Sequence, residues 1–260
     1  MKQRAEYGTA FITGGGSGIG RASALLLSQR GARVAISDLN LDAAKEVAHE
    51  ITAMGGEAVA VALNVTHVDA LPDAVSWAEA RLGPTDILVN SAGVILVEPL
   101  LEFSPETFNT VMEVNVTGTF RVSQHFARGM SDRGYGRIIN IASVSGMRAG
   151  IGRAAYGTSK AAILGLTRQF ALELAGRGIT TNAVAPGVIE TPMTTACYTE
   201  ETWSRVLAMV PTRRRGTPED IAEAVAYLAS PSASYVNGEV LTVDGGYMAA
   251  GMTQTGTLQI

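Results

Sequence analysis

The chain has 260 residues, 47% of them hydrophobic, and a formal net charge of −4, which is enough apolar material for a substantial core. Its 20 Lys and Arg are scattered, with "RRR" at 213–215 as the one basic run, and this excludes a nucleic-acid footprint. A single cysteine, Cys197, excludes an intramolecular disulfide, and no apolar run suits a leader or a membrane span, so a soluble, cytoplasmic protein is expected.

From the start, short β-rich runs alternate with helical stretches. "TAFIT" (9–13), "RVAIS" (33–37), "AVAVALNV" (58–65), "DILVN" (86–90), "RIINIAS" (137–143), "TTNAVAP" (180–186) and "EVLTVDGG" (239–246) read as strands. Several are apolar on successive residues, the pattern of strands covered on both faces of a parallel sheet. Between them, "RASALLLSQRG" (21–31) and "LDAAKEVAHEITAMGG" (41–56) read as helices closed by glycine. Such alternation with right-handed crossovers gives a doubly wound α/β sheet. No repeat or linker interrupts it, so one domain over 1–260 is expected.

Two later helical stretches, 106–126 and 160–176, carry apolar residues on more than one face. A helix lying on a sheet needs one stripe, so the second implies another cover: a subunit interface, or a locally thick core.

"TGGGSGIG" (13–20) follows the first strand and opens the first helix. Its glycines let the backbone approach a pyrophosphate, which then faces the positive end of the helix. The spacing, Gly14-x-x-x-Gly18-x-Gly20, differs from the G-x-G-x-x-G fingerprint, and a tight strand–helix turn would also use such glycines. Asp38 ends the second strand, where an acid accepts hydrogen bonds from adenosine ribose hydroxyls and repels a 2'-phosphate. Ser17 and Leu39 add no cation, so NAD is favoured over NADP. Asp38 could also serve as a helix N-cap.

"AAYGTSK" (154–160) sets Tyr156 and Lys160 four residues apart, stacked on one helix face about 6 Å apart along the axis. Surface packing of a lysine stem over a ring would give the same pair.

Loop, acid and Tyr/Lys pair together resemble the classical short-chain dehydrogenase/reductase family over nearly the whole chain. "NV" (64–65), "NSAG" (90–93), Asn115 in "VNVTG", Ser143 in "IASVSG" and "PGVIETPM" (186–193) follow in family order. The resemblance implies a single-domain Rossmann-type sheet of seven strands, order 3-2-1-4-5-6-7, and a homotetramer built through the two apolar helices. It implies cofactor contacts from Gly14, Ser17, Gly18, Ile19, Gly20, Asp38 and Leu39. Asn64 and Val65 would hold the adenine, with Asn64 standing where aspartate is usual. Asn90, Ala92 and Gly93 would line the ribose and central cofactor. Pro186, Gly187, Val188 and Thr191 would meet the nicotinamide. Asn90 could equally stitch two strands together, and Thr191 before Pro192 could be turn chemistry.

The resemblance also implies a catalytic set of Asn115, Ser143, Tyr156 and Lys160. Tyr156 would be the general acid/base, its pKa lowered by the Lys160 cation and the oxidised nicotinamide. Lys160 would also hold the nicotinamide ribose. Ser143 would donate to the substrate oxygen, and Asn115 would support a water leading protons from Lys160 to solvent. Gly157, Thr158 and Ser159 would leave room for ribose and substrate.

The reading is an NAD-dependent oxidoreductase that interconverts a secondary alcohol and a ketone. Its rivals are a 3-oxoacyl thioester (acyl-carrier-protein) reductase and an NAD-sensing binding protein without turnover. Ile95, Ser145, Ile151, Arg153 and Met193, together with Arg148, Val188 and Trp203, are expected to line the substrate pocket. The mobile segment 190–215, which holds Met193 and Trp203, would line it too. These mostly apolar residues suit an uncharged ketone, while Arg148 or Arg153 could catch a carboxylate. The tail, 248–260, would fray or pack over a substrate site. His49 and His67 read as solvated helix residues and His125 as packing, with no metal-ligand cluster.

Overall fold

The computed structural model describes residues 7–250. The chain runs β1 (Thr9–Thr13), α1 (Gly18–Gln29), β2 (Arg33–Asp38), α2 (Leu41–Ala53), β3 (Ala58–Ala62), α3 (Leu71–Leu82) and β4 (Ile87–Asn90). It continues with α4 (Pro105–Met112), a π-helical stretch (Glu113–Gly118), α5 (Thr119–Arg133), β5 (Gly136–Ile141), α6 (Ala154–Leu174) and β6 (Ile179–Pro186). Last come α7 (Pro192–Cys197), α8 (Glu200–Met209), α9 (Pro218–Ala229) and β7 (Val240–Val243). The strands form one seven-stranded sheet of order β3-β2-β1-β4-β5-β6-β7, every pairing parallel, as the sequence pattern implied.

Successive side chains of a strand face opposite ways, and β1 shows what that does here. Ala10 and Ile12 enter a core with Leu27 of α1, Ile51 of α2 and Ile221, Val225 and Leu228 of α9. Phe11 enters the opposite core with Val75 of α3 and Val122, Phe126 and Met130 of α5, its ring centre 4.8 Å from that of Phe126. Helices therefore cover both faces, which is why the strands read as continuous apolar runs. Strand order reverses between β1 and β4, so the connections leaving their carboxyl ends diverge and open a crevice.

Boundaries differ from expectation where side chains redirect the backbone. The third strand stops at Ala62 because Asn64 Oδ1 accepts from Thr66 N (3.0 Å) and Thr66 Oγ1 (2.9 Å), turning the chain. The expected helix 106–126 is α4, the π-helical stretch and α5 in unbroken succession. Asn40, not Asp38, caps α2, accepting from Asp42 N and Ala43 N. His49 is exposed on α2, whereas His67 is exposed in a loop rather than on a helix. His125 packs edge-on against Phe126, and burial moves its pKa below the ordinary value.

Phe120 of α5 and Phe170 of α6 meet edge to face, 6.0 Å apart, beside a groove that Leu166 and Leu174 also line. Leu172 on α6 remains 78% exposed. Among the described residues no helix is long and apolar enough to cross a membrane. The tail beyond Ala250 lies outside the described residues.

Candidate active site

A cleft of about 390 Å³ opens where the strand order reverses. On one side lies the loop between β1 and α1. Gly20 is forced there: a Cβ would stand 2.1 Å from the Gly14 carbonyl oxygen, so only glycine lets the helix start this close to the strand end. Gly14 has φ +63, and a Cβ on it would press on the Ala92 backbone at 2.8 Å. Asp38 ties the loop down, its Oδ2 accepting from Gly16 N and its Oδ1 from Asn40 N, both at 2.9 Å.

Gly14, Ser17, Gly18, Ile19, Asp38, Leu39, Asn64, Val65, Ala92, Gly93, Ser143, Tyr156, Lys160, Pro186, Gly187, Thr191 and Met193 all line the cleft. Gly20, Asn90 and Val188, predicted there, do not. Gly20 is packed behind the loop, and Val188 lines a separate small cavity beside Gly216 and Asp220. Asn90 is a stitch: its Nδ2 donates to Ser123 Oγ and to Asn140 Oδ1, each at 2.8 Å. Asn140 Nδ2 in turn donates to Thr167 Oγ1, binding β4, β5 and α6 together.

Sequence reasoning missed part of the lining: Leu63, Val94, Val114, Ile141, Ala142 and Ile189. Val114, Ile141, Ala142 and Ile189 lie inside motifs named above, beside residues singled out for polar chemistry, and Leu63 and Val94 adjoin two others. Nothing in their own side chains signals the cleft, and the fold brings them in.

Lys160 and Ser143 are buried, at 6% and 7% exposure. The Lys160 ammonium donates to the Ile141 carbonyl (2.8 Å), and its burial pushes the pKa down to about 8. Without cofactor the Tyr156 phenol stands above its ordinary value. Burial raises the phenol, while a hydrogen bond with Ser143 and then the Arg153 charge pull it back. Desolvation outweighs the added charges.

Asn115 sits 1% exposed in the π-helical stretch, a feature frequent at functional sites. Its Oδ1 accepts from Val94 N (2.8 Å), and its Nδ2 donates to Val94 O and Ser159 Oγ, both at 3.0 Å. Its donors are therefore engaged by the protein. The small residues after Tyr156 serve packing more than access. Ser159 is fully buried against Asn115 and donates to Tyr156 O (2.7 Å), while a Cβ on Gly157 would meet Ser145 O at 3.2 Å.

Of the predicted substrate residues outside the cleft wall, Ile151 is fully exposed and Ile95 is partly buried. Ser145 accepts a hydrogen bond from Arg153 Nη1 (3.2 Å), and Arg153 Nη2 donates to Tyr198 OH. Arg148 is exposed, 5.0 Å over the Tyr247 ring. Trp203 is buried beneath Arg215, whose guanidinium stands 4.3 Å from its ring centre. No His, Cys, Asp and Glu group suited to a metal occurs among the described residues.

A dinucleotide fits this cleft. The glycine loop opens α1 with no acidic residue in its first turn, so backbone N–H groups and the helix dipole favour phosphate. With the Asn64 carbonyl oxygen engaged by Thr66, its amide NH2 remains to donate to a base.

A family model described as enoyl-(acyl carrier protein) reductase matches residues 14–248. The chain is 41% identical to 3-oxoacyl-[acyl-carrier-protein] reductase FabG of Vibrio cholerae serotype O1, over 93% of this chain and 97% of that protein. It is also similar to a solved structure from Beutenbergia cavernae, assigned as an NAD(P)-dependent gluconate 5-dehydrogenase with NADP bound at low occupancy. Identity there is 41%, TM-score 0.88, and coverage 94% of this chain and 97% of that one. A short-chain type dehydrogenase/reductase from Mycobacterium marinum superposes with a TM-score of 0.90 at 36% identity, covering 95% and 97% of the two chains. Fold, cleft and relatives agree: the chain belongs to the short-chain dehydrogenase/reductase family, oxidoreductases of CH–OH groups that use a nicotinamide cofactor.

Proposed function

We propose that this protein is an NAD-dependent oxidoreductase interconverting a secondary alcohol and a ketone in one catalytic domain. The observation that carries the reading is the convergence of Ser143, Tyr156 and the buried Lys160 ammonium on one cleft. When bound, the nicotinamide supplies the hydride acceptor in oxidation and the donor in reduction. The chain supplies the rest. Tyr156 takes the alcohol proton on its phenolic oxygen, or returns it to the nascent alkoxide. Ser143 donates to the substrate oxygen and stabilises the charge developing there. Lys160 holds ribose hydroxyls with the donors left beside its bond to Ile141. Asn115 is a positioning residue that fixes the backbone at Val94 and Ser159.

NAD is preferred in this reading because Asp38 lies where a 2'-phosphate would go, and neither Ser17 nor Leu39 offers a cation. The name of the Vibrio relative favours a second reading, reduction of a 3-oxoacyl thioester with NAD(P)H in place of oxidation of an alcohol with NAD; the name itself supports only the substrate. The apolar surface of α5 and α6 supports a homotetramer.

The test is a panel of cyclic, aliphatic and hydroxy-acid alcohols and of 3-oxoacyl thioesters, each with NAD(H) and NADP(H), followed at 340 nm. Oxidation of secondary alcohols with NAD is expected. Turnover confined to thioesters with NADPH would select the second reading. Cofactor binding with no turnover at all would leave a nucleotide-sensing protein.

A further inference from the structure

Four arginines sit in the connections between β5 and α6 and between α8 and α9, and they are not equivalent. Arg214 is neutralised by Asp220 (2.6 Å), and Arg215 by Glu190 (2.8 Å) and Glu200 (3.1 Å). Arg148 is exposed and rests over a ring. Arg153 is partly buried and has no acidic partner among the described residues. It stands at the N-cap of α6 without capping it, where a cation opposes the helix dipole, and the first turn holds no acidic residue. Such a placement costs stability, so helix formation does not explain it.

Neutral groups hold the guanidinium in place. Ser145 Oγ and Tyr198 OH each accept one hydrogen bond, and the Tyr198 ring lies 5.4 Å from the guanidinium carbon. Five N–H donors less two leaves three, enough for bidentate recognition of a planar anion. Ser145 is two residues from Ser143, Arg153 is three from Tyr156, and the Arg153 charge acts on the Tyr156 phenol.

We propose that Arg153 anchors a substrate carboxylate, oriented by Ser145 and Tyr198, and that the physiological substrate is a hydroxy acid or its oxo acid. The inference rests on the proposed oxidoreduction and narrows its substrate class. Because Tyr198 lies between α7 and α8, its hydrogen bond to Arg153 also ties that segment to the start of α6.

The test uses pairs matched except for charge: 3-hydroxybutyrate with butane-1,3-diol, and D-gluconate with D-glucitol. With NAD, wild-type kcat/KM for at least one acid should exceed that for its partner by about 30-fold or more, the scale of charge-assisted hydrogen bonds. Arg153→Gln should bring that ratio near one, mainly through KM for the acid. Arg153→Lys should recover part of it, since the charge remains but the fork is lost. A second arm needs no turnover: calorimetric titration of both acids into wild type and Arg153→Gln in the presence of NADH. Acids and partners used equally by wild type, or equal losses for both in Arg153→Gln, would overturn the anchor and leave the oxidoreduction intact. Arg153-dependent binding of an acid without oxidation of any alcohol would keep the anchor and sink the proposed reaction. Failure of both acids to bind overturns the anchor.

Discussion

The Lys160 ammonium stands 5.7 Å from the centre of the Tyr156 ring and donates to the Ile141 carbonyl, 2.8 Å away. The two side chains share a helix face, but their charges are governed separately: burial, Ser143, Arg153 and Tyr198 act on the phenol, and burial acts on the lysine.

Tyr156→Phe keeps the ring and removes the proton carrier, so kcat should fall by at least about 10²-fold. Ser143→Ala removes a hydrogen bond that pulls the phenol down, so the rise of alcohol oxidation with pH should move to higher pH. The measurement is kcat/KM against pH for wild type and both variants. Near-wild-type activity and an unchanged profile in Tyr156→Phe would end the assignment of this phenol as the base.

Lys160 titrates near 8 in the folded protein, against an ordinary 10.5. Between those values the folded state binds fewer protons than the unfolded chain, so stability rises with pH through that window. It is lowest below about 8, where a charged ammonium is buried. Lys160→Met should therefore stabilise the protein without cofactor at pH 7, by on the order of 3 kcal/mol. The gap should narrow as pH approaches 10, while NAD binding weakens. Thermal midpoints at the two pH values check this, and no gain at pH 7 would contradict it.

Cofactor choice is expected to follow charge. Asp38→Ala with Leu39→Arg removes a carboxylate and adds a cation on a side chain that is now 76% exposed. The ratio of kcat/KM for NADP to that for NAD should rise by about 10²-fold, the order of two charge-assisted contacts. Asp38 also tethers Gly16, so Asp38→Asn, which keeps an acceptor, should hold the loop better than Asp38→Ala. A wild type that already prefers NADP would defeat the charge argument.

Asn115→Ala leaves Val94 N, Val94 O and Ser159 without their partner. Urea unfolding should show a loss of about 1–3 kcal/mol, with weaker cofactor binding as the 93–94 backbone is released. Unchanged stability would mean that water replaces the amide fully.

Much of the site was legible because its chemistry is carried by residues close in sequence. The glycine loop, Asp38 at a strand end and Tyr156 four residues before Lys160 needed only strand and helix periods to be placed. What spacing could not show was tertiary competition for the same atoms. Asn90 and Asn140 are 50 residues apart and share one hydrogen bond, so the stitch was open to Asn90 only as an alternative. Arg153 and Tyr198 are separated by 45 residues that include all of α6 and β6, with no motif joining them. The π-helical stretch hid inside a run whose apolar period reads as an ordinary helix. Its register shift is visible only once Asn115 is seen reaching Val94. Strand ends were misjudged where an Asn–Thr turn stopped the third strand early.

The first and last long helices share one core. Leu27 of α1 packs with Ile221, Val225 and Leu228 of α9, so the apolar side of the phosphate-loop helix is finished by residues synthesised long after it. At usual elongation rates α1 waits roughly 10–40 s for that cover. During this time the half-made nucleotide site displays a hydrophobic stripe to whatever is nearby. Chains ending before Pro218 are expected to stay open to protease in α1, whereas chains reaching β7 become resistant. Equal resistance of both would show that the first half closes alone. The order of synthesis thus leaves the cofactor-binding half dependent on a helix made much later, and a stop ahead of α9 would disable a site already translated.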